Sequence, residues 1–310
     1  MLEVFVYNAG KGDCIRIHYA ETHNIIIDSG VMRFSPNFKR ICDSVIQERE
    51  TLDALILTHV DTDHIGGILA NLRCAHYKCP FNEVWMNHSG KASLGDRTLS
   101  VQQNDEVYAQ LLRQGINVKP MYKDMHNELA GAKICVFWPD KNILEDSDSR
   151  CVERNLVRHT DYGLSLSDLA NKPLPQHDVS INNKKSIVFS FEFNGHKLLF
   201  TGDAWPENVV SAQGVYDLVK IPHHGSARNI SELYRDSIQA SNFLICTDGL
   251  NHPDKQTIAK LEKWYGKINI FSPSEWWKNG YFMKDDYLHK IASVDKGIHN
   301  KTTKYGLPIY

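Results

Sequence analysis

Thr58-His59-Val60-Asp61-Thr62-Asp63-His64-Ile65-Gly66-Gly67 sets four ligand-type side chains within six residues. Ahead of it, Leu52 to Thr58 is a near-continuous apolar run, as expected of a strand covered on both faces. Behind it, Ile65 to Leu72 reads as the start of a helix. The segment therefore lies at a sheet edge, where α/β proteins commonly place ligands. Two imidazoles and two carboxylates this close repel one another, or lose hydration without return, unless a cation sits between them. A polar loop in which Asp63 merely caps the helix explains the pattern less well. Gly66 and Gly67 let the backbone pack closely against the site.

Two later stretches share the layout of an apolar strand followed directly by polar ligands. Leu198-Leu199-Phe200-Thr201-Gly202-Asp203 delivers a carboxylate, and Asp217-Leu218-Val219-Lys220-Ile221-Pro222-His223-His224-Gly225-Ser226 delivers paired histidines. Alone, Asp203 is as much a turn residue, and His223 and His224 as much structural histidines. The repeated layout makes chance the poorer account.

Further strands are expected at Leu2–Tyr7 and Cys14–Tyr19, alternating with period two around Gly10-Lys11-Gly12-Asp13, and at Asn24–Asp28 and Glu83–Met86. Lys133–Trp138, Asn242–Thr247 and Lys267–Phe271 read the same way, and Asn194-Gly195 joins Ser186–Phe193 to His196–Thr201 as a hairpin. Helical spacing marks Asn37–Glu50, residues 98–114, Ile230–Gln239 and Asp254–Trp264. Residues 140–180 are polar and read as an insertion or long loop. The pattern suggests two packed sheets with helices outside.

The chain has 310 residues, 42% of them hydrophobic, which supports a substantial core and excludes general disorder. No apolar run approaches the roughly 20 residues of a membrane helix, so no membrane partner is expected. The amino-terminal stretch lacks a basic segment with a cleavage site, and seven cysteines form no CxxC pair; both suit a cytoplasmic protein. The formal charge of -2 conceals an asymmetry: residues 255–310 carry +5 and the rest -7. Residues 274–310 read as a basic aromatic extension to a domain spanning 1–273. Lysines beside Trp276-Trp277, Tyr281-Phe282 and Tyr287 suit a nucleic-acid backbone, and equally a solvated face over buried rings.

With these motifs in view, the sequence resembles the metallo-β-lactamase fold superfamily over roughly residues 1–265. The superfamily's HxHxDH motif appears as His59-Val60-Asp61-Thr62-Asp63-His64, with Asp61 in place of the middle histidine. That variant, with Asn8-Ala9-Gly10-Lys11-Gly12-Asp13, Asn182-Asn183-Lys184-Lys185-Ser186, Thr201-Gly202-Asp203, Pro222-His223-His224-Gly225-Ser226 and Asn251-His252-Pro253, resembles the hydrolase domain of ComEC-type competence proteins, here free-standing. The resemblance implies an α/β fold, a four-layer αββα sandwich, with two divalent metal ions, Zn²⁺ or Mn²⁺. Asp203 bridges them by this account, His59 and Asp61 serve the first, and Asp63, His64 and His224 the second. His223 stands beside substrate, and the choice between His223 and His224 as ligand stays open. Catalysis falls to Asp63 and His223, and substrate contact to Ser226, His252 and Asn183. Asp28 matches an early aspartate that supports the metal loop. The usual third histidine is replaced by Asn182 or Asn183, unless His177 swings in. Oxygen ligands at Asp61 and Asn183 shift preference from Zn²⁺ towards Mn²⁺ or Mg²⁺.

The expected function is a metal-dependent phosphodiesterase, a nuclease on DNA. The alternatives are hydrolysis of a small ester (a phosphocholine-type phosphodiester, a lactone or a thioester) and a regulatory protein with a degraded metal site. The free-standing form and the insertion also suggest operon-encoded protein partners.

Overall fold

The computed structural model describes residues 1–88, 99–144, 161–278, 280–284, 286 and 290–293. Its strands in chain order are β1 (Leu2–Val6), β2 (Ile15–Tyr19), β3 (His23–Ile27), β4 (Thr51–Leu57), β5 (Glu83–Met86), β6 (Asn117–Lys119), β7 (His126–Leu129) and β8 (Ala132–Trp138). They continue with β9 (Val188–Phe193), β10 (His196–Phe200), β11 (Gly214–Val215), β12 (Leu218–Lys220), β13 (Ile238–Gln239), β14 (Asn242–Leu244), β15 (Asn269–Ser272) and β16 (Lys290–Ser293). Strands β1 to β6 form one sheet in sequence order, antiparallel through β3 and parallel beyond it. The second sheet runs β16-β15-β14-β12-β10-β9-β8-β7, parallel from β16 to β10 and antiparallel from β10 to β7.

Side-chain alternation explains why these sheets stack. Ile25, Ile27, Ala54 and Ile56 turn inward against Phe189, Phe191, Phe200, Leu218 and Leu244 of the other sheet. Their neighbours Ile26, Leu55 and Leu57 turn outward beneath helices. Helix α1 (Ser35–Gln47) covers them with Phe38, Ile41, Cys42 and Val45, a one-sided stripe at helical spacing. Helices α2 (Thr62–Leu72) and α3 (Leu99–Arg113) add Ile65, Leu69, Val107 and Leu111. Fully burying a side chain such as Phe38 contributes about 1.5–3 kcal/mol. On the far side, the helix Lys255–Tyr265 lays Ile258, Leu261 and Trp264 over Val219, Phe243 and Ile245. The result is the expected four-layer αββα sandwich.

The parallel strands share one direction, so β3, β4, β10 and β12 all end at one edge, where Asp28, His59–His64, Asp203 and His223–His224 follow them. Close backbone approach holds that edge together. A Cβ on Gly67 would lie 2.0 Å from the Ser29 carbonyl oxygen, and one on Gly12 would lie 1.8 Å from that of Asp63. Only glycine fits at these two contacts.

Three expectations change. The helix foreseen over Ile230–Gln239 is confined to Tyr234–Ser237, because Tyr234 donates its hydroxyl to the Asn229 carbonyl (2.7 Å) and closes the preceding segment as a turn. The segment then enters β13, which pairs with β11. Part of the 140–180 insertion is built into the body: Leu166 and Leu169 join the outer core, while residues 145–160 lie outside the described set. Of the expected extension 274–310, residues 274–278, 280–284, 286 and 290–293 are described. Trp276 and Tyr281 are buried in that same outer core, and β16 extends the second sheet. Those two rings are therefore closed to stacking on nucleic acid; Tyr287 lies outside the described residues. Cys42, Cys74, Cys79, Cys135 and Cys246 are free thiols, and no helix among the described residues is long and apolar enough to cross a membrane.

Candidate metal centre

Three histidines at the shared edge hold their Nδ1 atoms away from the cleft. Asp28, in the left-handed region at φ 58°, accepts from Thr58 N (2.7 Å) and Thr58 Oγ1 (2.7 Å). It also lies 2.7 Å from His64 Nδ1, so that nitrogen donates and Nε2 is left bare. His224 Nδ1 donates to the Cys246 carbonyl (2.9 Å), with the same consequence. Thr58 Oγ1 gives its proton to Asp28 and is left to accept from His59 Nδ1 at 3.1 Å. With Nδ1 committed to its partner in each ring, all three rings turn Nε2 to the cleft.

These Nε2 atoms converge on one carboxylate. Asp203 Oδ2 lies 3.4 Å from His64 Nε2, 3.5 Å from His224 Nε2 and 3.8 Å from His59 Nε2. All four residues are buried, yet the three nitrogens and Asp203 Oδ1 have no hydrogen-bond partner. Buried polar atoms left so are costly and uncommon. Ligand atoms bound about 2.0–2.2 Å from a common ion lie roughly 3–4 Å from one another, the spacing seen here. The donor set fits a divalent cation. Among the described residues four groups have ligand atoms within 4.8 Å of one another: His59–His64–Asp203, Asp63–His64–His224, Asp13–Asp203–His224 and Asp13–Asp28–His64. The first two consist of predicted ligands alone and make up two ligand sets.

Beneath this cluster lie two buried charges that the sequence reading did not assign. Lys220 Nζ pairs with Asp13 Oδ2 (2.5 Å), donates to the Gly202 carbonyl (2.7 Å) and stands 3.6 Å from Asp203 Oδ1. Asp13 Oδ1 is in turn 3.2 Å from His224 Nδ1. Burial works to raise the Asp13 carboxyl pKa, but Lys220 and the neighbouring histidines outweigh it and hold it far below the usual range. Burial works to lower the Lys220 pKa, and Asp13 and Asp203 reverse that too. A third addition is Asp178, whose Oδ2 accepts from Asn183 Nδ2 (2.6 Å) and Asn229 Nδ2 (3.1 Å).

His223 stands at the rim. Both His223 (φ 47°) and His224 (φ 55°) occupy the left-handed region, which turns two consecutive side chains towards one centre at a cost of about 1–3 kcal/mol each. His224 goes inward and joins a ligand set; His223 keeps 29% side-chain exposure, with Nε2 3.9 Å from Asp203 Oδ2. Its Nδ1 donates to Asn229 Oδ1 (2.9 Å). Burial works to lower the His223 pKa, but the Asp203 charge and the Asp178 contact push it up to about 9 in the ion-free protein.

The remaining predicted residues fall in different places. Asp61 is outside both ligand sets, 3.8 Å from His59 Nε2, and its Oδ1 accepts from Asn182 Nδ2 (2.7 Å). Asn183 is buried against Asp178 and His223, with its Oδ1 unpartnered. The His252 ring lies 5.3 Å from that of His223, at the cleft rim. Ser226 is a correction: it is 1% exposed, and its hydroxyl accepts the Arg228 N–H (3.3 Å), so it closes a turn rather than facing substrate. His177 is another: it is exposed, packs edge-on against Trp205 and bonds the Asp178 carbonyl instead of completing the cluster. Lysine within the apolar strand Leu218-Val219-Lys220-Ile221 was the available signal for Lys220; Asn229 had none.

Residues 7–90 match the family model described as the metallo-β-lactamase superfamily. ComE operon protein 3 of Bacillus subtilis is 23% identical over 222 residues, covering 68% of this chain and 22% of that protein. The chain thus corresponds to under a quarter of that relative's length. Among solved structures, the metallo-β-lactamase fold protein YhfI of Bacillus subtilis aligns over 87% of this chain and 95% of its own, with TM-score 0.46 and 11% identity. Zn²⁺-bound PqqB of Methylobacterium extorquens aligns over 86% and 97%, with TM-score 0.46 and 12% identity. Over residues 7–90, which carry His59 to His64, the chain is thus similar to the metallo-β-lactamase superfamily.

Proposed function

We propose that this chain hydrolyses phosphodiester bonds in DNA, with two divalent ions, Zn²⁺ or Mn²⁺. The observation that carries the reading is the set of bare, buried Nε2 atoms of His59, His64 and His224 around Asp203. On this reading Asp203 would serve both ions, with His59 and the nearby Asp61 on the first and Asp63, His64 and His224 on the second. Bound there, two ions supply charge stabilisation to the phosphoryl group and lower the pKa of water. Asp63 is less buried than Asp203, with side-chain exposure of 15% against 4%, and holds a hydrogen of the incoming water at Oδ2. His223, kept in one orientation by Asn229, presents Nε2 to the open side, where it hands a proton to the leaving oxygen. His252 and Asn183 flank His223 and shape the substrate's approach.

DNA is favoured over small esters by the resemblance of the motif set to ComEC-type hydrolase domains. A formal charge of -2 favours single strands or short substrates over long duplexes. Purified protein is expected to degrade DNA with Mn²⁺ or Zn²⁺, and Asp63→Ala to abolish this. DNA left intact across a full metal screen overturns the reading. Fewer than one ion per chain after careful purification supports a regulatory protein instead.

A further inference from the structure

The cleft rim carries two cations to which no role has been given. Lys11 Nζ is 3.1 Å from Asp63 Oδ2, and the lysine side chain is 57% exposed. It differs from Lys220, which is sealed below the cluster by Asp13 and the Gly202 carbonyl. Lys11 approaches the carboxylates from the solvent side, and the charges of Asp63, Asp61 and Asp203 all raise its pKa. Its position is built rather than incidental. The next residue, Gly12, is pressed against the Asp63 backbone, with room for no side chain at 1.8 Å.

Arg33 lies against the same turn from the other side. A Cβ on Gly10 would come within 3.3 Å of Arg33 Nη2, and the arginine side chain is 76% exposed. Its anionic neighbour across the cleft, Asp248, is 3.9 Å away, beyond hydrogen-bond length. Ammonium and guanidinium groups on one rim, above a hydrolytic centre, match the non-bridging oxygens of a phosphate. A neutral ester or lactone offers them no charged partner.

We propose that Lys11 and Arg33 form the anion-recognising edge of the cleft, Lys11 contacting the scissile phosphate and Arg33 the next phosphate along a strand. This deepens the phosphodiesterase reading and rests on it for the word scissile, while the anion site itself is tested apart from cleavage. Lys11 then serves any phosphate, and Arg33 serves only substrates with more than one.

The test uses metal-loaded wild-type protein, Lys11→Ala, Lys11→Arg and Arg33→Ala, with metal content measured for each. Inorganic phosphate is titrated by calorimetry. A labelled phosphorothioate thymidine oligonucleotide is titrated by anisotropy over a range of salt. Lys11→Ala is expected to weaken phosphate roughly tenfold, as loss of one charge-assisted contact does. Lys11→Arg restores most of that affinity, and Arg33→Ala leaves phosphate unchanged. Each alanine variant lowers the slope of log affinity against log salt for the oligonucleotide by about 0.7, the single-strand increment per phosphate contact. Phosphate affinity equal in wild type and Lys11→Ala, including none in both, overturns the proposal whether or not DNA is cut. So does a Lys11→Ala protein that loses metal along with phosphate, because the lysine then acts on the centre and not on the anion. Loss of phosphate binding with metal retained upholds the anion edge even if wild-type protein leaves DNA intact, an outcome that rejects only the nuclease reading.

Discussion

Lys220 Nζ stands 2.5 Å from Asp13 Oδ2, and the two side chains are only 1% and 2% exposed. Two charges removed from water together are retained only when geometry and further hydrogen bonds repay the desolvation. Here the Gly202 carbonyl takes one ammonium proton, and Asp203 Oδ1 lies near enough to feel the charge. Lys220 therefore holds an ammonium beside the carboxylate on which the histidines converge, and Asp13 balances its charge.

Breaking that pair should cost more than removing it. Lys220→Met leaves Asp13 buried and unpaired, and is expected to destabilise the protein by roughly 3–5 kcal/mol. Urea denaturation of Lys220→Met, Asp13→Asn and the double variant measures this. The double variant should regain part of the loss, and a Lys220→Met protein as stable as wild type contradicts the account.

Asp28 acts on metal through His64 and Thr58. Asp28→Ala frees the His64 ring to rotate and is expected to lower metal affinity about 10–100-fold. Competition with a chromophoric chelator reads this directly. Unchanged affinity would show that packing alone orients His64.

Titration of His223 gives a stability signature in ion-free protein. Its folded pKa of about 9 lies above the unfolded value of about 6.5, so folding favours the protonated form. The stabilisation is complete below about pH 6.5 and is lost as pH rises through about 9. Chemical denaturation at several pH values should show wild type losing stability across that window relative to His223→Gln. Parallel curves for the two proteins would reject it.

Gly12→Ala tests the close approach that seats the Lys11 turn. The added methyl meets a backbone oxygen, not a mobile side chain, so the turn must shift. A loss of about 1–3 kcal/mol is expected from overpacking alone, read as a lower melting temperature. Gly163→Ala, whose Cβ would meet nothing within 4 Å and whose φ, like that of Gly12, lies outside the left-handed region, is the control for adding a methyl without a close approach.

Much of the fold was legible because burial leaves a period in sequence. Alternation at Ile25-Ile26-Ile27 and Ala54-Leu55-Ile56-Leu57 marks strands with two covered faces, and the stripe of α1 marks a helix with one. β7 was not legible, since His126–Leu129 is a short edge strand with three polar residues and Leu129 alone packed against the core. The Ile230–Gln239 segment misled because its apolar spacing suits a helix while the Tyr234 to Asn229 bond closes a turn.

That ligand-type residues follow the ends of apolar strands could be read from the chain alone, because parallel strands in a covered sheet share one direction and one edge. The sequence named His59, Asp61, Asp63, His64, Asp203, His223 and His224, and could not rank the last two. Only the tertiary structure turned His224 into the cluster and left His223 on the rim, through two consecutive left-handed residues that composition does not reveal. It also brought Asp13 from the first hairpin onto Lys220 of the second sheet. Such pairings depend on how two sheets stack, and residues far apart in the chain carry no local mark of the distance that will separate them.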